Sequence, residues 1–399
     1  MNFTNSSLIK LKTYCEAQNF AGWDPYDGLN SRVFNITPLK HWDLARLVWI
    51  QGFKHSPINF RRLLMVPKQH NAKGIALFLN GYCKLHQLVS TGNTHFGTQD
   101  DIQNKITMLA DLLLKMRSTS YSGACWGYNF DWQARRLFFF PANTPTVVAT
   151  SFCVQALLSA YEITKKKMYL NTALSAADFI INDLNRSDFN SGFLFSYSPH
   201  KGNDSVINAS LLGAKTLCLI YKYSKLPMHL KLARTTIKAC CEAQQKDGAW
   251  VYGMLPVQQW IDSFHMGYNL EAIQVYQDVS GNMEFNNHLK LGFQFYIQNF
   301  FLEDGTPKYY HNKTYPIDIH CPGQLFVNLS IQNKFQKNKE LADKVMQWTI
   351  NKMQDKKGYF YYQLKKGKSS KISYMRWSNA FMFNAMSYYL LELNKTYGI

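Results

Sequence analysis

Acidic residues are scarce in this chain: 26 Asp and Glu stand against 44 Lys and Arg, a formal charge of +18 over 399 residues. Such an imbalance points to an anionic target, whether nucleic acid, a membrane face, or an acidic small molecule or polysaccharide. No helix-turn-helix, zinc finger or RNP box is present, and the lysines are scattered apart from Lys165-Lys166-Lys167 and a cluster from Lys365 to Lys371. Nucleic acid is therefore not the expected partner. The eight cysteines, at 15, 83, 125, 153, 218, 240, 241 and 321, contain no Cys-x-x-Cys pair and no zinc-like spacing. They read as reduced, buried small hydrophobes. Neither a Gly-rich phosphate loop nor a Gly-x-Ser-x-Gly elbow occurs, so serine- and cysteine-hydrolase chemistry has no local support. The opening Met1-Asn2-Phe3-Thr4-Asn5-Ser6-Ser7 is polar, and Leu8-Ile9-Lys10-Leu11 is too short for export or anchoring, so a cytoplasmic location is expected.

What recurs is a Gly-x-aromatic turn. Gly192-Phe193-Leu194-Phe195, Gly248-Ala249-Trp250, Gly305-Thr306-Pro307-Lys308-Tyr309 and Gly358-Tyr359-Phe360 follow one another at 56, 57 and 53 residues. A longer copy, Gly123-Ala124-Cys125-Trp126-Gly127-Tyr128, lies 69 residues before Gly192, and Gly22-Trp23-Asp24-Pro25-Tyr26 reads as a decayed first copy. The interval holds two helices of three to five turns with their connections.

Between the turns, apolar residues fall at i, i+3, i+4 and i+7. Segments 72–88, 145–163, 206–224, 263–279, 318–333 and 376–393 are assigned as inner helices; 145–163, 206–224 and 376–393 are apolar nearly all round, as helices buried on both sides are. Segments 100–117, 168–184, 228–245, 283–300 and 338–353 are assigned as outer helices, most with a charged face. A sixth outer helix comes from the N-terminal region, either 6–19 or 38–53. The pattern predicts an all-α fold, an (α/α)6 toroid or six-hairpin barrel, as one domain over residues 1–399. Residues 1–70 are expected to close the ring and 71–399 to supply the regular hairpins, with short β-like segments in the loops at one rim. Every Gly-x-aromatic segment follows an outer helix and precedes an inner one, so these loops gather at one mouth, where function is expected.

The loops carry residue types that a saccharide site uses: aromatic faces for sugar C–H faces, and carboxylates, amides and guanidinium groups for hydroxyls and acids. Candidate catalytic residues are Asp131, Asp262, His265, Tyr268, Asp318 and Arg376. Candidate substrate-binding residues are Tyr128, Gln133, Arg135, His200, Asn208, Tyr252, Tyr310, His320 and Tyr374. Asp262 equally suits the cap of a helix beginning at Ser263, and His265 and Tyr268, three apart on one helical face, suit either core or pocket. Arg376 opens an apolar helix and needs a partner, a mouth carboxylate or an anionic ligand. Asp318-Ile319-His320 with His311 matches no known metal spacing, so neither metal nor cofactor is expected.

Two chemistries fit these residues. A lyase or epimerase acting on a uronic acid needs a neutraliser of the acid, from Arg376, Asn208 or Gln133, and a base and acid, from His265, Tyr268 or Tyr310. A glycoside hydrolase needs two flanking carboxylates, for which Asp131, Asp262 and Asp318 are available. The alternative is a non-catalytic saccharide-binding or scaffold protein, with a similar mouth but no titratable pair within hydrogen-bonding reach.

Gln244-x-x-Asp247-Gly248-x-Trp250 resembles the QW repeat of squalene and terpene cyclases, which also build α/α toroids; their Asp-x-Asp-Asp motif is missing. Longer strings span almost the whole chain: Asp24-Pro25-Tyr26-Asp27-Gly28-Leu29, Ser56-Pro57-Ile58-Asn59, Trp126 to Gln133, Trp260 to Glu271, Pro316 to His320, and Tyr374-Met375-Arg376-Trp377. They resemble an uncharacterised bacterial α/α-toroid family of capsular and exopolysaccharide biosynthesis loci. That family is similar in layout to the six-hairpin unsaturated glucuronyl hydrolases, alginate-type lyases and the C-terminal domain of glucuronyl C5-epimerases. The resemblance implies a cytoplasmic protein of polysaccharide biosynthesis or modification that meets an anionic, lipid-linked saccharide, with room for peripheral association with a membrane assembly complex.

Overall fold

The computed structural model describes residues 3–134 and 139–397. Its helices are α1 (Phe3–Ala17), the single turn α2 (Arg32–Asn35), α3 (Asp43–His55), α4 (Ala72–Ser90), α5 (Gln99–Lys115), α6 (Val147–Thr164) and α7 (Lys167–Asp178). They continue with α8 (Ile207–Ser224), α9 (Pro227–Glu242), α10 (Ser263–Ser280), α11 (Asn286–Phe300), α12 (His320–Ile331), α13 (Lys339–Met353) and α14 (Phe381–Tyr397). The helices α4, α6, α8, α10, α12 and α14 each pack on the next, and α14 returns onto α4 to close an inner ring. Outside it, α5, α7, α9, α11 and α13 each lie against the preceding inner helix, and α1 takes the sixth outer place against α14. The fold is an (α/α)6 toroid.

The local chemistry explains the path. Thr146 and Asp262 cap α6 and α10 by accepting the Ala149 and His265 amides at 3.0 and 3.1 Å. At the far end of α6 and α8, Lys165 and Lys225 adopt φ of 54° and 55°, left-handed C-caps that reverse the chain within a few residues. Long loops therefore gather at the N-terminal ends of the inner helices. Among the described residues, α6 alone is long and apolar enough to cross a membrane, yet it is mostly buried as an inner member of the ring.

The recurring turn has one mechanical job. After each outer helix its glycine presses on the next outer helix: a Cβ at Gly123, Gly192, Gly248, Gly305 or Gly358 would collide with a backbone carbonyl of α7, α9, α11, α13 or α1, respectively. At Gly248 and Gly358 the backbone also sits at φ of 97° and 101°, open only to glycine at low cost. A glutamine four residues earlier completes the joint in two copies. Gln244 donates to the carbonyls of Gly248 and His288, both at 2.9 Å, and Gln354 donates to Gly358 at 2.9 Å and Ser7 at 3.0 Å. The following aromatics Trp126, Trp250 and Phe360 are buried, and both indoles donate at 2.8 Å to a carbonyl of the preceding outer helix or its edge.

Short antiparallel strands edge the mouth: β1 (Trp132–Gln133) with β2 (Phe139–Phe140), β3 (Arg186–Phe189) with β4 (Gly192–Phe195), and a three-stranded sheet of β5 (Ile317–Asp318), β6 (Tyr361–Leu364) and β7 (Ser370–Ser373) in that order. Of the two candidate sixth outer helices, 6–19 corresponds to α1, while α3 stays outside the ring. Pro38–His41 forms its own tight turn, and α3 packs its Ile50 on Leu29 and Phe34 in a separate small core. Residues 22–70 thus form a cap on the rim. Arg61, fully buried, holds it together: it donates to Asp27 at 2.6 Å, to the Tyr374 hydroxyl at 2.9 Å and to the Asp24 carbonyl at 2.7 Å. Asn30 reaches the Asn129 carbonyl at 3.0 Å and Arg46 reaches Gln133 at 2.8 Å, tying the cap to the first long loop.

Candidate active site

Each inner helix delivers a polar group to the mouth within its first turns. From α4 comes Lys73, from α6 Ser151, from α8 Asn208, from α10 His265 and Tyr268, and from α12 His320. A wide π turn, Met375–Ala380, precedes α14 and brings Arg376 and Trp377. The rings connect these groups: His265 lies 5.9 Å from Tyr268, Tyr268 5.7 Å from Phe152, and His320 stacks on Trp377 at 4.1 Å and 11°. Phe264 touches both His265 and His320, at 4.2 and 5.0 Å. Around them stands an aromatic rim of Tyr26, 5.5 Å from Trp377 and 6.4 Å from Trp132, and the stacked pair Tyr252 and Trp260 at 4.4 Å.

His265 and Asp262 form the titratable pair. Asp262 Oδ2 lies 2.7 Å from His265 Nδ1 and also accepts the Trp260 indole at 2.9 Å, while Oδ1 caps the helix. A carboxylate is an acceptor, so the Nδ1 proton points to it, which leaves Nε2 as the ring nitrogen directed away from the pair. Asp262 thus caps α10 and orients His265 at once. The His265 side chain is 20 % exposed and its carboxylate 0 %, so the histidine is the member that a ligand can meet.

The other groups are buried with unspent hydrogen-bonding capacity. Among the described residues, the Tyr268 hydroxyl, Asn208 Nδ2, Gln133 Nε2 and the Ser151 hydroxyl have no partner. Neither His320 nitrogen has a well-formed hydrogen bond, although the backbone at Trp377 approaches the ring. Burial pushes the Tyr268 hydroxyl well above its ordinary range, with the Glu271 carboxylate adding to the shift, so it stays a donor. Burial also pushes His320 well below 6.5, reinforced by Lys73 and Arg376, so it is a neutral imidazole. Unpartnered polar atoms in a native interior need a reason, and a ligand supplies one.

Lys73 is a residue the sequence reading missed. It is 4 % exposed, its ammonium sits 4.2 Å from the Phe152 ring centre with Tyr268 and Phe381 at 5.4 and 5.0 Å, and no carboxylate among the described residues forms an ion pair with it. Burial first, then the like charge of Arg376, drives its pKa well below 10.5. Nothing in Ala72-Lys73-Gly74-Ile75-Ala76 forms a motif; the available signal was one lysine in the otherwise apolar first two turns of an inner helix, Ala72 to Leu79. Deeper, Lys215 pairs with Glu271 and donates to Gln155 at 2.7 Å, closing the floor.

Arg376 already has its partner. It binds Asp24 through two hydrogen bonds of 2.5 and 2.7 Å, both residues buried, and locks the cap to the ring. Burial opposes its charge, but the Asp24 carboxylate more than restores it, so its pKa is raised. Asp318 accepts the His320 amide at 3.0 Å, the Trp377 indole at 3.0 Å and Gln363 at 3.2 Å; burial nevertheless pushes its carboxyl up to about 6. Asp131 accepts the Ala142 amide at 2.7 Å and pins its loop. Tyr374 is buried beneath the cap on Arg61, His200 is exposed on the outer lip 5.4 Å from Phe140, and Arg135 lies outside the described residues. Tyr128, its hydroxyl 3.3 Å from that of Tyr197 and its ring 5.0 Å from the Arg376 guanidinium, lines the mouth with Tyr252, while Tyr310 pairs with Asp262 through the backbone.

No family model matches the sequence, and no curated protein matches it. Solved structures do share the fold. A sugar epimerase from a ruminal bacterium superposes with a TM-score of 0.60 at 13% identity, covering 82% of this chain and 90% of its own. An unsaturated glucuronyl hydrolase specific for heparin gives 0.60 at 12%, covering 98% and 96%. A family 76 α-mannanase of Bacteroides thetaiotaomicron gives 0.61 at 14%, covering 81% and 88%. At such identities the likeness is one of architecture: an (α/α)6 toroid of the six-hairpin kind.

Proposed function

We propose that the protein is a carbohydrate-active enzyme that moves a proton at a sugar carbon beside a carboxylate or carbonyl, an epimerase or lyase of an acidic saccharide. The observation that carries this reading is the Asp262–His265 pair beside Tyr268 and Asn208, whose hydroxyl and Nδ2 have no partner among the described residues, with His320 and Lys73 at the same mouth. In the reaction, neutral His265 takes the proton and the electron pair passes into the adjacent C=O. Lys73 and Asn208 serve as donors to the resulting oxyanion. Return of a proton from Tyr268 to the opposite face inverts the carbon; loss of the neighbouring glycosidic oxygen with that proton gives an unsaturated sugar. Arg376, with Asp24 in its fork, holds the cap instead of the substrate.

The hydrolase reading is weaker on one ground. Asp131, Asp262 and Asp318 all accept internal donors, and Glu271 and Asp24 are paired with cations. None stands free as the acid and nucleophile that glycoside hydrolysis uses. That other six-hairpin structures are named as sugar epimerase and glucuronyl hydrolase supports a saccharide ligand. The sequence strings support a cytoplasmic setting in bacterial surface-polysaccharide biosynthesis. Incubation with uronic-acid oligosaccharides, followed for ultraviolet absorbance of unsaturated products and for solvent proton exchange, tests the proposal. Binding without either signal would establish the non-catalytic saccharide-binding alternative.

A further inference from the structure

The cap has an outer face that folding does not explain. Among the described residues, nine of the twenty-two exposed large apolar side chains fall between Ile36 and Met65, while the rest are spread over the other helices and loops. On α3 the inward face carries buried Ile50 and Phe53, and the outward face carries Leu44 at 69 % and Val48 at 63 % exposure, one turn apart. Trp42 just ahead of the helix is 63 % exposed, and Ile36 84 %. The segment ending at Leu63 and Met65 is tied to the start of α2, with Ser31 Oγ donating to the Leu64 carbonyl at 2.6 Å, so both runs belong to one small unit.

Charge identifies what covers it. From Arg32 to His70 there are seven Lys and Arg and one acid, Asp43, which is paired with Arg46. Arg32, Lys40, Arg62 and Lys68 are exposed beside the apolar side chains. A second copy would set this positive face against itself. An anionic bilayer offers what the face lacks: negative headgroups for the cations and an acyl boundary for Trp42, Leu44 and Val48.

We propose that the outer face of the cap, formed within residues 32–70, is a peripheral docking surface for an anionic membrane. The proposal stands on the surface alone and does not depend on the proton-transfer reading. Docking would hold the toroid's rim near the headgroups, since the same cap carries Tyr26 at the mouth.

The test is sedimentation of the full chain with vesicles of phosphatidylglycerol and phosphatidylcholine, and with phosphatidylcholine alone. The protein should bind the anionic vesicles at least about tenfold more tightly and lose binding as salt rises. The double variant Leu44→Asp/Val48→Asp and the double variant Lys40→Glu/Arg62→Glu should each weaken binding by about tenfold or more. Their side chains are exposed, so melting temperatures should hold, which separates lost docking from lost folding. Failure of the wild type to bind anionic vesicles at low salt overturns the proposal. Unchanged binding by the Leu44/Val48 variant overturns it too, since simple charge adsorption would then suffice. So does a concentration-dependent dimer, or a complex with a protein partner, that this variant abolishes while vesicle binding persists.

Discussion

An amine enclosed by Phe152, Tyr268 and Phe381 costs folding free energy, because burial removes its water and no carboxylate replaces it. Lys73→Met keeps the stem and removes the charge. It is expected to raise stability by about 1 kcal/mol or more while abolishing proton exchange on the saccharide; thermal melts and exchange rates check the two halves, and a lowered melting temperature would make Lys73 a structural cation. Asp318 makes a second prediction. Its folded pKa, about 6, lies above the ordinary 3.8, so the folded state holds this proton more tightly than the unfolded chain. Its contribution is therefore fully present below about pH 4 and is lost as pH rises through about 6, a span on the order of 3 kcal/mol. Asp318→Asn should remove that part of the pH slope, read as the difference between urea unfolding at pH 4 and pH 7; an unchanged slope would show that Asp318 does not titrate there. Neither feature was fully legible in sequence. His265, Tyr268 and Asn208 could be found because they follow the recurring turn, whereas Lys73 belongs to no pattern and the partner of Arg376 lies 352 residues away.

The joint between hairpins is built from a glycine that meets the next outer helix and a glutamine that staples it there. At Gly358 this joint closes the whole ring, since its neighbour is Lys10 of α1. Gly358→Ala combines a strained φ with a collision against backbone, and it should cost about 2–4 kcal/mol in chemical unfolding. The same change at Gly367, also at positive φ but with open space around it, should cost about 1 kcal/mol or somewhat more. Equal losses at the two sites would refute the close-approach explanation. Five of the six outer helices were legible from the helical apolar spacing between the recurring turns, four of them also by a charged face. The sixth was ambiguous between 6–19 and 38–53 for a physical reason: Leu44 and Val48 give α3 the apolar pattern of a core helix, although those side chains face outward in the cap.

At the scale of the molecule, the ring brings inner-helix N-termini from across the sequence to one mouth, and the cap is locked over its edge by Asp24 and Arg376. The architecture followed from periodicity, since the helical apolar spacing and the recurring Gly-x-aromatic turn together count the hairpins. The chemistry did not, because a proton-transfer site is defined by which groups remain unpaired after folding, and pairing is a property of the assembled ring. The central claim is that His265, held by Asp262, removes a proton from an acidic saccharide. Deuterium incorporation from D2O into uronic-acid oligosaccharides, compared between the wild type and His265→Asn at equal ligand occupancy, tests it most directly. The wild type should label the carbon beside the carboxylate, and the variant should do so about 10²–10⁴-fold more slowly. Bound saccharide that gains no deuterium with the wild type, or gains it equally fast with the variant, would contradict the account.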